Sequence, residues 1–204
     1  MSWIDYDPPV EQPVETVHRF GGTIVEVTPG RLAEQPVRAL VVSANQRGAM
    51  GVGNPRSVRA LAGERVEREA MSRAPLTLGT AVQTGAGNLA ERGIGAILHA
   101  VVAPAPGYPA TLDAVRRATA GALVAADAAR LRSLALPILG GGWGKDQLPF
   151  ELAASDMIEA IVSYLRRNPS RIERIVIVTD FNDDQALLNR MLVVAYRHQW
   201  IPSK

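Results

Sequence analysis

Short apolar runs, dense in valine, isoleucine, leucine and alanine, recur along this chain at intervals too long for hairpins. They are "GTIVEV" (22–27), "VRALVVSA" (37–44), "AILHAVVA" (96–103), "SLALPIL" (133–139) and "RIVIVTD" (174–180), with the weaker "GTAVQTG" (79–85) among them. Each is apolar on both faces, which marks a strand buried in the middle of a sheet rather than one wetted on one side. The stretches between them carry helical spacing. Segment 55–73 starts with proline and repeats Val58, Leu61, Ala62 and Val66. Segment 110–131 aligns Leu112, Val115, Thr119, Leu123 and Ala126, and 149–167 aligns Ala154, Ile158, Ile161 and Leu165. A last helix is expected over 184–198, with Asp183 or Asp184 as its N-cap. Strands alternating with helices predict a three-layer α/β/α sandwich around a mixed, mainly parallel sheet.

With 204 residues, the chain is long enough for one full core. Residues 1–16 are rich in proline and acidic side chains and read as an N-terminal arm, leaving 17–204 as the domain. Cysteine is absent, which excludes disulfides, thiolate chemistry and cysteine-held zinc. The histidines, His18, His99 and His198, lie far apart, so no metal site and no cofactor are expected. Neither a membrane span nor a signal peptide is legible, and a cytoplasmic protein is the expectation. The formal charge of +2 is too small to argue for nucleic acid. The basic residues are nearly all arginine, which suits phosphate contacts and equally suits a GC-rich, bacterial-like composition. Nothing in the sequence sets an oligomeric state.

Two glycine-rich loops follow strands and precede helices: "SANQRGAMGVGNPRS" (43–57) and "LGGGWGKDQLP" (139–149). Loops of this kind expose successive backbone N–H groups and form anion-binding concavities, helped by the positive end of the next helix. The second is not a triphosphate loop. Counting back from Gly144-Lys145, the first glycine of that motif falls on Leu139, and the position after the lysine is Asp146 rather than serine or threonine. "GVGNPR" likewise misses the dinucleotide fingerprint, because Arg56 takes its last glycine position. Two such loops at one sheet edge suggest a diphosphate clamped between them.

With these segments in order, the chain resembles the macro domain, the ADP-ribose-binding fold. "GRLAEQPVRALVVSANQRGAMGVGNPRSVRALAG" (30–63), "GTAVQTGAGNLAERGIGAILHAVVAP" (79–104) and "LPILGGGWG" (136–144) lie on its pattern over about residues 20–198. The resemblance implies ligand contacts at Arg31, Leu32, Asn45, Gly51, Val52, Gly53, Gly140, Gly141, Gly142, Trp143, Gly144 and Phe181. Asn45 would take the distal ribose, the glycines the phosphates, and Phe181 the face of adenine. Arg47, Arg56 and Arg59 could add phosphate contacts. Arg31 stands where the family has an adenine-binding aspartate, and a guanidinium cannot accept that bond. Pro55 stands where hydrolytic members have an aspartate. His99, on an interior strand, reads as a satisfied core histidine.

The expected function is binding of ADP-ribose or a related NAD-derived nucleotide, free or attached to a target. The alternative is hydrolysis of an ADP-ribose conjugate of protein, nucleic acid or acyl group, with Asn45 and Asp146 as the residues that would carry it. Sequence-specific nucleic-acid recognition is disfavoured by the small charge and the absence of an aromatic, basic strand face.

Overall fold

The computed structural model describes residues 17–141, 147–180 and 182–198. The N-terminal arm, residues 1–16, lies outside them. Seven strands form one sheet: β1 (Val17–Phe20), β2 (Thr23–Pro29), β3 (Ala39–Asn45), β4 (Ala81–Thr84), β5 (Ala96–Ala103), β6 (Ser133–Pro137) and β7 (Arg174–Thr179). Their order is β1-β2-β7-β6-β3-β5-β4, with the five inner strands parallel and both edge strands antiparallel to their neighbours. The helices are α1 (Gly53–Ala62), α2 (Glu64–Met71), α3 (Leu112–Ala128), α4 (Phe150–Arg167) and α5 (Asn182–His198).

The pleat sorts the apolar side chains into two cores. Val41, Leu98, Ala100, Leu134, Leu136, Ile175 and Ile177 face one way, against Val115, Leu123, Met157, Ile161 and Leu192 of α3, α4 and α5. Their neighbours Leu40, Val42, Ile97, Ala135 and Val176 face the other way, against Val58, Ala62 and Val66 of α1 and α2. This is the expected three-layer sandwich, with strands apolar on both faces because both faces are covered.

Three local features differ from the sequence reading. β1 was not anticipated: "VHRF" is too short for a periodic signal, and it is held by pairing with β2 and by the edge-on contact of Phe20 with Tyr196, 5.7 Å between centroids. The expected helix over 55–73 is two helices broken at Gly63, whose φ of +88° caps the first through its N–H on the Arg59 carbonyl. Leu61 of its proposed apolar stripe is 42% exposed, while Val58, Ala62 and Val66 are buried. Helix α5 starts at Asn182, which puts Asp183 and Asp184 inside its first turn rather than at its N-cap.

The sheet opens where the site lies. β3 and β6 are paired only at Ala39–Leu134 and Leu40–Ala135. Beyond these, β3 stays with β5 and β6 stays with β7, so the carboxyl halves of the two middle strands part. The chain also reverses its direction of travel across the sheet here, from β3 outward to β5 and from β6 outward to β7. Parallel α/β sheets place their ligand crevices at such a switch point.

Candidate functional site

A cleft of about 1050 Å³ occupies that opening. Four walls enclose it: the loop after β3 with the start of α1, the loop after β5, the loop after β6 with the start of α4, and the end of β7 with the first turn of α5.

The first wall is braced by its own side chains. Asn45 sits where the β3–β5 register slips, at 9% exposure. Its Oδ1 accepts the Arg47 N–H at 3.0 Å, and its Nδ2 donates to the Ala49 carbonyl at 3.0 Å. Its carbonyl accepts the Gly48 N–H at 2.9 Å, closing a tight turn of the kind asparagine favours. Gly48 has φ +72°, and a Cβ there would stand 2.8 Å from the Ala70 carbonyl carbon at the end of α2. Further along, the Met50 N–H donates to Glu67 Oε1 at 2.7 Å, and Arg59 pairs with the same carboxylate. Burial opposes the charge on Glu67, but the Met50 N–H and the Arg59 guanidinium outweigh it and hold the carboxyl below its usual range. Val52, Gly53, Asn54 and Pro55 then border the cleft, and no side chain caps the first turn of α1.

The wall after β6 is shaped by backbone. Pro137, Ile138, Gly140 and Gly141 border the cleft, followed by Gln147, Leu148, Phe150 and Glu151. Gly140 has φ +75°, and a Cβ there would meet Ala110 Cβ and Val115 Cγ2 at 2.9 Å. Gly142, Trp143, Gly144, Lys145 and Asp146 lie outside the described residues, as does Phe181.

Of the residues expected to bind, the cleft therefore brings together Asn45, Val52, Gly53, Gly140 and Gly141. Gly51 is exposed, with open space where a Cβ would be, and does not border it. Arg31 and Leu32 do not border it either. The Arg31 side chain is 85% exposed and 3.8 Å from Glu34, while Leu32 is buried in the core beneath α1. Of the three arginines considered for phosphate, Arg56 borders the cleft, Arg47 is exposed and Arg59 is engaged by Glu67.

Sequence reasoning missed the wall after β5, where Ala105, Pro106, Gly107 and Tyr108 border the cleft; Asp180, which the sequence offered as a substitute for the adenine-binding aspartate replaced by Arg31, borders it at the β7 end together with Asp184. The proline-glycine run 104–109 was a usable signal, because it follows a strand ending at the same sheet edge as Asn45.

His99 is buried on β5, and among the described residues only one of its nitrogens has a partner: Nε2 lies 2.9 Å from the Thr84 hydroxyl, while Nδ1 has none. Thr84 Oγ1 also donates to the Gly85 carbonyl at 3.2 Å. With the hydroxyl proton so placed, the proton on His99 belongs on Nε2, and Nδ1 is left as a bare acceptor. Burial, with a smaller push from Arg73, lowers the imidazole pKa to about 4. The expectation of a satisfied core histidine holds for one nitrogen and fails for the other. Among the described residues no group of three His, Asp or Glu could hold a metal ion, and no helix is long and apolar enough to cross a membrane.

This architecture, a mixed sheet split at its switch point beneath a cleft rimmed by two glycine loops, defines a class that the comparisons identify. The Macro domain profile matches residues 41–157, more than half of the chain. An uncharacterized protein of Aquifex aeolicus is 36% identical over 76% of this chain and 88% of its own length. An uncharacterized protein of Mycobacterium tuberculosis is 31% identical over 74% of this chain but only 40% of its own length. The macrodomain of Oceanobacillus iheyensis with MES bound superimposes with a TM-score of 0.76 at 17% identity, covering 89% of this chain and 97% of that one. The macrodomain of Thermus aquaticus DarG gives 0.62 at 24% identity over 75% and 97%. The chain belongs to the Macro domain family.

Proposed function

We propose that this chain binds ADP-ribose, free or attached to a target, in the cleft between the loops after β3 and β6. The observation that carries the reading is the meeting of Val52 and Gly53 with Gly140 and Gly141 across the opening between two parting parallel strands. A diphosphate there would lie beside three glycines whose backbone no side chain obstructs, with the uncapped start of α1 bordering the same cleft. Asn45 retains one amide N–H beyond the bond to Ala49, enough to donate to a ribose hydroxyl. Solved macrodomains of similar fold have been described with this chemistry: that of Oceanobacillus iheyensis with ADPR in a G37V mutant, and that of Trypanosoma brucei with ADP. Gly142, Trp143 and Gly144 would complete the second loop and Phe181 would face the base.

Calorimetry with ADP-ribose, ADP, AMP and NAD tests the proposal. One site per chain for ADP-ribose is the expected outcome, and absence of heat with all four ligands removes the reading. Hydrolysis of an ADP-ribose conjugate is the second reading, favoured by the carboxylates Glu151 and Asp180 on the cleft walls and by Asp146 in the second loop. Release of ADP-ribose from a modified substrate, lost in Asp146→Ala, supports it; equal release by both proteins takes Asp146 out of the mechanism.

A further inference from the structure

Tyr108 leaves 62% of its surface open while bordering the cleft, and its side chain makes no hydrogen bond or aromatic ring contact among the described residues. Its backbone, by contrast, is tightly specified. The Tyr108 N–H donates to the Ala105 carbonyl at 3.2 Å across Pro106 and Gly107, the latter at φ +82°. Proline followed by a left-handed glycine is the signature of a type II turn. Pro109 then confines Tyr108 to extended backbone. A large aromatic side chain is thus presented at a cavity rim on a pre-organised turn, where ordering it around a ligand costs little entropy.

The strand order says which part of a ligand can reach it. The loop after β5 lies one strand beyond Asn45, on the side away from Gly140. A diphosphate held between the loops after β6 and β3 sends one end toward β7, with Asp180, and the other past Asn45 toward Tyr108. We infer that Tyr108 stacks on the terminal ribose and is the residue by which this chain tells ADP-ribose from ADP. The inference rests on the ADP-ribose reading above. The sugar offers a face of C–H groups, which suits the electron-rich face of a phenol ring, while its hydroxyls remain at the rim for Asn45.

Titration calorimetry of the full chain with ADP-ribose and with ADP, on the wild type, Tyr108→Ala and Tyr108→Phe, tests this. Tyr108→Ala should weaken ADP-ribose about tenfold, the scale of one aromatic contact, and leave ADP unchanged. Tyr108→Phe should match the wild type with both ligands, since the ring rather than the hydroxyl makes the contact. The melting temperature of Tyr108→Ala should stay close to the wild-type value, because most of the residue is exposed. An equal loss for both ligands, or no loss for ADP-ribose, overturns the inference. A wild type that binds ADP-ribose beside an indifferent Tyr108→Ala sinks Tyr108 alone. A wild type that binds neither ligand sinks the parent reading with it.

Discussion

The loops after β3 and β6 face the same cleft and both carry glycines, yet they are held by different means. In the first, polar side chains do the holding: Asn45 closes the turn from Arg47 to Ala49, and Glu67 reaches over from α2 to take the Met50 N–H. In residues 137–141 of the second, no side chain can hydrogen-bond, and shape does the holding: Gly140 lies against Ala110 and Val115, and Gly141 against Ile138. The first loop therefore depends on charge and solvent conditions, the second on volume. A ligand gripped by both samples two kinds of rigidity at once.

Adding one methyl group to each loop is the largest test of that contrast. In Gly48→Ala the new Cβ would stand 2.8 Å from the Ala70 carbonyl carbon and 3.0 Å from Ala70 O and Met71 N, all backbone, at φ +72°. Helix α2 cannot retreat without losing its packing, so a loss of about 4 kcal/mol is expected. In Gly140→Ala the clash is with a methyl of Val115 and the Cβ of Ala110, which yield more readily, and about 2 kcal/mol is expected. Denaturant unfolding of both variants measures the difference. Equal losses would erase the distinction between a loop locked on backbone and one fitted among side chains.

Acid should act through the α2 side of the sheet, where Glu67 and His99 lie. Helix α2 carries the Glu67 brace, and Arg73 just beyond its end adds to the burial that holds His99 at a pKa of about 4 against its ordinary 6.5. Between those values the unfolded chain binds a proton that the folded one refuses, so stability falls as pH drops through this window. The full loss is about 3 kcal/mol. Unfolding free energies across pH 7 to 4 should show it, and His99→Gln should flatten the slope. An unchanged slope in His99→Gln would assign the acid sensitivity elsewhere.

Much of this was legible from residues alone, and the omissions have physical causes. The buried strands announced themselves because a parallel sheet covered on both faces needs runs such as "AILHAVVA", apolar at every position, and β5 was placed at its observed bounds, Ala96–Ala103. The break at Gly63 was hidden because Val58, Ala62 and Val66 keep helical spacing across it. That Asn45, Val52, Gly53, Gly140 and Gly141 border one cleft was legible because glycines and a turn-forming asparagine gather in the loops that follow parallel strands at one sheet edge. Glu67 and Tyr108 were not. Glu67 acts on Met50 from 17 positions away through a helix packing that spacing does not encode, and Tyr108 borders the cleft only because β5 neighbours β3 in the sheet.

Glu67 gives the smallest and most discriminating test, because its two roles can be removed separately. Glu67→Ala leaves the N–H of Met50, a residue 1% exposed, without a partner and frees Arg59, for a cost of about 2 kcal/mol. Glu67→Gln keeps an oxygen for Met50 and loses only the ion pair, whose arginine side chain is 34% exposed; about 0.5 kcal/mol is expected. Because the native carboxyl is held below its ordinary value of 4.5, its stabilisation is complete above that pH and drains away as pH falls further; the Gln variant should lack this acid limb. ADP-ribose affinity should fall in Glu67→Ala and stay near wild type in Glu67→Gln, since the loop needs the hydrogen bond and not the charge. If the two variants lose affinity equally, the first loop is held by the Arg59 charge pair, and the contrast with the second becomes one of electrostatics against shape.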